Sequence, residues 1–424
     1  MRFFVINAGK SISFKIEHQC PQCGSPITLG EETLFFVCTF CRVRSCISQK
    51  GFFRYYFPLS PHAPAGSDLV YLPYWRFKGV RYACHFSGVT PRFIDNSALA
   101  MEDAPVQIPF SLGFRSQALP LKLVSSQTPG KFIRPGEFKT IFHILEKRSQ
   151  SAKSFQVPVF QEDIGETKSL IYAPFYIQNH RLFDGILNRE IPMNLPGDMD
   201  MNNLPLCRPE KETTFIPGLC PNCGQNLEGQ FNSLVLVCSN CQTLWQARDN
   251  KLGKIKYGCA TPQNSDDVMV PFWKIKASIP PIPLSSYADL ARIGNLPKAI
   301  RPEWETQNLY FWAPAFKIRP KVFLGLTTAL AIAQPDPPLE KKIGKNIHLP
   351  ITLPSSEAIQ SIKITLASLV RPAKDHLPPL SWATIAPKEI CLVFLPFESR
   401  HHEYFHPGLN VTIHKNTLAL SDNL

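Results

Sequence analysis

Eight of the chain's 13 cysteines fall into two sets of four with the same spacing, and this arrangement constrains the fold more than any other feature. Each set reads C-x2-C-x14-C-x2-C, and the members are Cys20, Cys23, Cys38 and Cys41, then Cys220, Cys223, Cys238 and Cys241. Four thiolates in two close pairs can surround a tetrahedral metal ion. Disulfide pairing or simple burial is the alternative, but two sets of identical spacing favour metal ligation. The sequence therefore predicts two metal sites.

The residues next to each first cysteine pair suit a tight turn. A proline follows the first cysteine, and Gly24 or Gly224 follows the second, where glycine tolerates a positive φ. Backbone N–H groups in such a turn can point at the sulfur atoms and offset their charge. The apolar segments 34–37 and 234–237 run straight into the second cysteine pair. We expect each to be the return strand of a hairpin that links one cysteine pair to the other.

The cysteine pattern resembles the zinc-ribbon family, over about 22 residues in each copy. Ribbons of this kind occur in transcription and replication factors, in ribosomal proteins and in many uncharacterised bacterial proteins. The duplicated arrangement with a following Trp strand resembles uncharacterised bacterial tandem zinc-ribbon proteins. The resemblance implies two Zn²⁺ ions, one for each set of cysteines, and it implies no particular activity.

The composition indicates a globular and β-rich protein. Apolar residues make up 44% of the 424 positions, which argues against disorder, and 40 prolines with 30 phenylalanines favour short strands and ordered loops over long helices. We expect a mainly β or α+β fold of two tandem homologous halves. Each half would be a four-cysteine zinc ribbon plus a β-rich body with one or two helices.

The cysteine content also bears on the compartment. Thirteen cysteines, eight of them in metal-type pairs, fit a reducing cytoplasm better than an oxidising one. The first residues show no secretory signal, and the apolar stretch from Val322 to Ala333 is too short to span a bilayer. The sequence therefore predicts a cytoplasmic protein without a transmembrane segment.

The duplication extends beyond the cysteines. The segments 68–78 and 267–276 both contain Pro, an aromatic residue, Trp and alternating basic residues, which predicts a half-buried strand with its basic side chains in water. Three further pairs of features correspond in order: Pro109 with Pro314, helices at 137–147 and 355–369, and Pro174 with Pro396. Asn188 and Asn410 each follow the last proline by 14 residues.

These correspondences predict five regions. They are a first ribbon at 1–50, a first body at 51–190, a linker at 191–215, a second ribbon at 216–250 and a second body at 251–424. The growing offset between the halves places the insertions of the second half chiefly between Pro314 and Pro396. The two halves could pack as a pseudo-twofold pair or remain independent.

Basic and aromatic residues follow each ribbon and are candidate contacts for a partner. They are Arg42, Arg44, Trp75, Arg76 and Lys78 in the first half, and Trp273, Lys274 and Lys276 in the second. Such a zone could bind a phosphate backbone and stack on bases. It could instead be a solvated face whose cations offset the charge of the zinc thiolates, or a protein-docking face. The second interpretation is favoured because the net charge of +12 is modest and divided between two zones.

Residues 402–406 match H-E-x-x-H, in which two histidines on one helical face bind zinc in metalloproteases. Pro407 and the strand-like segment before the motif argue against a helix here, so we interpret the motif as a decoy. No nucleotide-binding or hydrolase motif is present.

The sequence therefore favours a non-enzymatic zinc protein, acting as a structural or adaptor subunit with an unidentified protein partner. A nucleic-acid-binding factor and a rubredoxin-like iron electron carrier are the alternatives, since four cysteines can also bind iron.

Overall fold

The computed structural model describes residues 14–102, 104–113, 115–142, 157–193, 195, 199, 203–208, 213–344 and 346–419, and every structural statement below concerns these residues. They form a mainly β protein with a smaller share of helix, as the sequence predicts.

The strands of the first half are β1 (Lys15–Gln19), β2 (Pro26–Gly30), β3 (Phe35–Val37), β4 (Arg44–Ser48), β5 (Phe53–Tyr56), β6 (Asp68–His85), β7 (Gly88–Leu99), β8 (Leu121–Leu123), β9 (Lys131–Phe132), β10 (Phe160–Gln178), β11 (Arg181–Asp184) and β12 (Arg189–Ile191). The remaining strands are β13 (Thr214–Pro217), β14 (Val235–Cys238), β15 (Thr243–Arg248), β16 (Lys251–Ile255), β17 (Tyr257–Ala260), β18 (Val268–Ser278), β19 (Phe311–Pro314), β20 (Leu339–Glu340), β21 (Ala386–Ser399), β22 (Glu403–His406) and β23 (Val411–His414).

The helices are α1 (Arg115–Ala118), α2 (Tyr287–Ile293), α3 (Pro320–Ala333), α4 (Ser355–Leu369), α5 (Ala373–Trp382) and α6 (Lys415–Ala419). The helix predicted at 355–369 is confirmed as α4, with Pro354 as its N-cap residue. Of the helix predicted at 137–147, residues 138–142 are helical and residues 143–147 lie outside the described residues. The second body carries α2 to α6, which is more than the one or two helices predicted.

Four sheets organise the described residues. A ten-stranded sheet has the order β12-β11-β10-β5-β8-β1-β2, and β6 pairs with β10, β7 and β9. A seven-stranded sheet has the order β19-β18-β21-β17-β20, with β22 and β23 extending from β21. Two three-stranded sheets, β13-β4-β3 and β14-β15-β16, carry the second cysteine pair of each set.

Both halves repeat the same strand pairing around their tryptophan. Trp75 on β6 lies opposite Leu170 on β10, and Trp273 on β18 lies opposite Leu392 on β21. Each of these leucines precedes Pro174 or Pro396 by four residues, so the register is identical. A parallel strand, β5 or β17, then pairs with the far side of β10 or β21.

The tryptophans also fix the segment before the helix in each half. Trp75 Nε1 donates to the carbonyl of Gly136 at 2.8 Å, and Trp273 Nε1 donates to the carbonyl of Leu353 at 2.9 Å. Each carbonyl lies two residues before the first helical residue, at 138 or Ser355. A buried indole N–H needs an acceptor, so the same bond positions the helix in both halves.

The predicted correspondence of Pro109 with Pro314 is wrong. Ala100 N–H donates to the carbonyl of Pro73, and Ala315 N–H donates to the carbonyl of Pro271, so these alanines are the true counterparts. The offset between the halves is 198 at the tryptophans, 215 at the alanines and 222 at Pro174 and Pro396. Most of the inserted residues of the second half therefore lie before Ala315, where α2 is found, and not between Pro314 and Pro396 as predicted. The prediction failed because Pro109 and Pro314 have similar neighbours in sequence but different positions in the fold.

The two halves share a hydrophobic core. Tyr82 and Cys84, near the C-terminal end of β6, and Ile164, near the N-terminal end of β10, belong to a hydrophobic cluster whose other members come mainly from the second half. Across the same contact Lys363 Nζ of α4 lies 3.0 Å from a carboxylate oxygen of Glu162. The halves are therefore packed together rather than independent.

Candidate metal centres

Each set of four cysteines comes together as a tetrahedral arrangement of sulfur atoms. The Sγ atoms of Cys20 and Cys41 are 3.7 Å apart, and those of Cys23 and Cys38 are 3.8 Å apart. A tetrahedral ion with Zn–S bonds of about 2.3 Å requires S···S distances of about 3.8 Å. A disulfide would bring two sulfur atoms to about 2.0 Å, and all these thiols are free.

The second set has the same geometry. Its Sγ–Sγ distances are 3.5 Å for Cys220 and Cys241 and 3.4 Å for Cys223 and Cys238. In both sets all four sulfur atoms lie within 4.8 Å of one another. The predicted ligand residues are thus brought together in full, and a tetrahedral metal ion fits either set.

Backbone turns hold the cysteines in place. Gly24 and Gly224 have φ of 72° and 75°, and their N–H groups donate to the carbonyls of Cys20 and Cys220. The second pairs make the same turn with Arg42 and Gln242, at φ of 62° and 57°. The sequence indicated the first turns through glycine, but it gave no signal for the second ones, where non-glycine residues adopt the left-handed conformation.

The predicted strands leading into the second pairs are found as β3 and β14. The predicted hairpin is found in the second ribbon, where Glu228 and Val237 lie opposite each other and exchange two backbone hydrogen bonds of 2.9 Å. It is wrong for the first ribbon, where β2 and β3 belong to different sheets. Each cysteine pair closes its own hairpin. Strand β1 pairs with β2 across the first turn, and β3 pairs with β4 across the second. In the second ribbon Leu219 lies opposite Asn226, and β14 pairs with β15. In the first ribbon the 14 residues between the pairs are therefore divided between two hairpins.

The two ribbons form one unit, called here the double ribbon and comprising residues 15–48 and 214–255. Strand β13, which leads towards Cys220, pairs with β4 of the first ribbon. The N–H groups of Leu34 and Phe35 donate to the carbonyl of Phe231, at 2.7 and 2.9 Å. A common apolar cluster contains Phe35, Cys46, Cys220, Leu227, Leu236, Cys238 and Trp245. Two residues of the predicted linker, Thr214 and Phe215, are part of β13.

A serine or threonine hydroxyl lies against the sulfur atoms of each site, and neither residue is among the predicted site residues. A hydrogen bond with Ser25 lowers the pKa of Cys23 to about 6, and one with Thr243 lowers the pKa of Cys241 to about 6. A lower pKa favours the thiolate, the form that binds metal. Both hydroxyl residues lie two positions beyond the second cysteine of a pair, and this C-x-S/T spacing is the signal that was available.

The predicted water-facing basic residues of the first half are largely buried. Arg76 is only 3% exposed and forms ion pairs with Glu31 and Asp95. The preceding residue, Trp75, is also buried. Lys78 Nζ lies 3.2 Å from a carboxylate oxygen of Glu32. The expectation of a wet face is wrong for Arg76, because the turn after β2 of the first ribbon covers that face of β6.

In the second half Trp273 is buried as well. Lys274 is half-buried, with its Nζ 2.8 Å from Asp336 and above the ring of Tyr310, and Lys276 donates to Asn308. Arg42 is exposed, whereas Arg44 donates to the carbonyl of Leu227 across the double ribbon. The candidate contacts therefore do not form one surface, and a role in binding a partner stays a prediction for those that reach water.

The H-E-x-x-H motif is not helical, because Glu403 to His406 form β22 and His402 lies in the bend before it. The single helical turn that would place both histidines on one face is therefore absent. Among the described residues, the groups that could hold a metal ion are the two cysteine sets and do not include these histidines. His406 Nδ1 instead accepts the N–H of Leu409 at 3.3 Å. Its counterpart Asp184 accepts N–H groups of the equivalent turn with Oδ1. His406 therefore stabilises a turn that both halves contain.

Comparisons with protein-family models, with curated proteins and with solved structures find no match for this chain. Within the described part of the chain, no helix is long and apolar enough to cross a membrane.

Proposed function

We propose that the chain is a non-enzymatic protein that holds two structural Zn²⁺ ions and serves as an adaptor subunit in a larger assembly. The observation that carries the proposal is the pair of tetrathiolate sites, whose sulfur separations fit a tetrahedral ion. Four protein ligands leave no open position for substrate, which is typical of structural rather than catalytic zinc.

The surroundings of the sites support a structural role. The buried cysteines are Cys20, Cys38, Cys220 and Cys238. Cys220 and Cys238 also belong to the apolar cluster that joins the two ribbons. Metal binding would therefore stabilise the contact between the ribbons as well as each ribbon. The repeated strand register supports the proposal that the chain arose by internal duplication. Thirteen cysteines without a disulfide among them support a reducing, cytoplasmic environment.

An adaptor role is supported by apolar side chains that the double ribbon leaves in water. The exposed fractions are 46% for Val37, 64% for Phe40, 48% for Leu219 and 45% for Phe231. Exposed apolar groups next to a rigid metal site are suited to docking a protein. Nucleic-acid binding is less well supported, because Arg76, Lys78 and Lys274 already pair with acidic residues.

Metal analysis together with a visible spectrum of the purified protein tests the zinc assignment. We expect two zinc ions per chain and no visible absorption, and one zinc ion per chain in either Cys38→Ser or Cys238→Ser. A thiolate–iron spectrum would replace structural zinc by an electron carrier.

Isolation of the protein from its own cells tests the adaptor role. A stoichiometric protein partner should be lost on Phe40→Asp while the zinc content is unchanged. Phe86→Asp, an exposed phenylalanine at the tip of the β6–β7 hairpin, is the matched control and should retain the partner. Loss of the partner in both variants, or in neither, would argue against docking on the double ribbon.

A further inference from the structure

The two metal sites differ at one position that both ribbons share. Val43 and Thr243 each follow the last cysteine of their set by two residues. Two residues further on, the first ribbon has Ser45 and the second has Trp245. Only the second ribbon therefore has a hydroxyl group at the first of these positions and an indole at the second.

Thr243 lies directly against the second set of sulfur atoms. Its Oγ1 is 2.9 Å from Cys241 Sγ and 3.6 Å from Cys220 Sγ. Trp245 Nε1 donates to the same oxygen at 2.8 Å. An indole N–H can only donate, so the threonine oxygen accepts this bond, and its own proton is free to donate to sulfur. The indole thus orients the hydroxyl towards the thiolate.

Burial strengthens this contact. Thr243 and Trp245 are 7% and 8% exposed, so water does not compete well for either group. In the first site the corresponding Val43 has no hydroxyl, and Ser25 contacts Cys23, which is itself exposed. The ligands Cys23 and Cys41 are both exposed, whereas Cys223 and Cys241 are half-buried.

We propose that Thr243, oriented by Trp245, is a positioning residue of the second metal centre, and that this centre retains its metal ion more firmly than the first. The inference rests on the proposed metal-binding function. An ion with four thiolates carries a formal charge of −2, and a buried O–H···S bond withdraws part of that charge and holds Cys241 in its ligating rotamer. Loss of such a neighbour typically costs 10–100-fold in metal affinity.

Release of zinc to an excess of a chromogenic chelator tests the proposal. The full-length protein should release two zinc ions in two phases, and the slow phase should remain when Cys38→Ser removes the first site. Thr243→Val, which keeps the shape and removes the hydroxyl, should accelerate the slow phase about 10–100-fold. Thr243→Ser should restore it, and Val43→Ala, the matched change in the first ribbon, should leave it unchanged.

Cobalt substitution gives a readout that packing alone would not move. The sulfur-to-cobalt charge-transfer band of the second site should shift in Thr243→Val and return in Thr243→Ser. Equal release rates for wild type and Thr243→Val, with two zinc ions bound in both, would overturn this inference and leave the proposed function intact. Binding of fewer than two zinc ions by the wild type would instead count against the proposed function. Release from Thr243→Ser as fast as from Thr243→Val would also overturn the role of the hydroxyl.

Discussion

Arg76 and Glu31 form a buried ion pair between the first ribbon and β6. The Glu31 side chain is inaccessible to water, and Arg76 also contacts Asp95 at 3.1 Å and the ring of Phe14. Glu31 follows β2 directly, whereas Arg76 lies in the middle of the longest hairpin of the first half. The pair therefore contributes to the position of the ribbon on the ten-stranded sheet.

Replacing Arg76 by Met should destabilise the protein by about 3–5 kcal/mol at pH 7, because the Glu31 carboxylate is left buried and unpaired. Burial already raises the pKa of Glu31, and the charge of Arg76 opposes that rise. Removing Arg76 should raise this pKa further. A carboxyl group whose pKa is higher in the folded state contributes stability below its ordinary pKa of 4.5, and this contribution is lost as the pH rises through the folded value. The variant should therefore regain stability as the pH is lowered towards 4.5.

Urea unfolding of the wild type, Arg76→Met, Glu31→Gln and the double variant at pH 7 and pH 5 measures this effect. The double variant should recover most of the loss, since the unpaired charge is gone. Arg248→Met removes an exposed arginine and should change the free energy of unfolding by less than about 0.5 kcal/mol. A loss below about 1 kcal/mol in Arg76→Met, or a double variant as unstable as the single one, would refute the reasoning.

Three further predictions concern the ribbons and the histidine motif. Phe35→Ala, which removes a buried side chain from the cluster shared by the two ribbons, should cost about 3–5 kcal/mol in urea titrations, and a cost below about 1 kcal/mol would contradict a shared core. Chelation of the metal should expose the amides of residues 20–41 and 220–241 to hydrogen exchange while those of α4 stay protected; unchanged protection in both ribbons would speak against structural ions. Glu403→Gln should leave the zinc content unchanged, and a third zinc ion that disappears in His402→Ala would revive the peptidase hypothesis.

Features that depend on local spacing were predictable from the sequence. The two sets of four clustered cysteines follow from two repeated spacings, and the tryptophan strands follow from alternation over a few residues. Helix α4 follows from Ile359, Ile362, Leu366 and Leu369, whose spacing places them on one face of a helix. Each of these signals is contained in a short segment, so no knowledge of the tertiary structure is needed to detect it.

Features that depend on distant residues were not predictable in the same way. Alternation along β6 predicted Arg76 in water, but Glu31 and Glu32, more than 40 residues earlier in the chain, cover that face of the strand. A single charged residue on a strand does not indicate whether another element will pair with it. The hydroxyl at Thr243 was detectable by spacing, but its orientation depends on the Trp245 indole and hence on the folded ribbon.

Strand β13 explains why the predicted linker does not separate two independent halves. Its residues Thr214 to Pro217 lie opposite Ser48 to Ser45 and complete the sheet of the first ribbon. In the second ribbon the third position is taken by β16, which follows β15 through a two-residue turn. In the first ribbon the chain that follows β4 does not form a third ribbon strand, because it continues into β5, which pairs with β10 in the ten-stranded sheet. The third strand of the first ribbon is therefore β13, from the start of the second half. A polypeptide that ended within the linker would lack this strand and the Phe231 carbonyl that accepts from Leu34 and Phe35. The sequence repeat is therefore a repeat of motifs, whereas the unit that folds includes both ribbons.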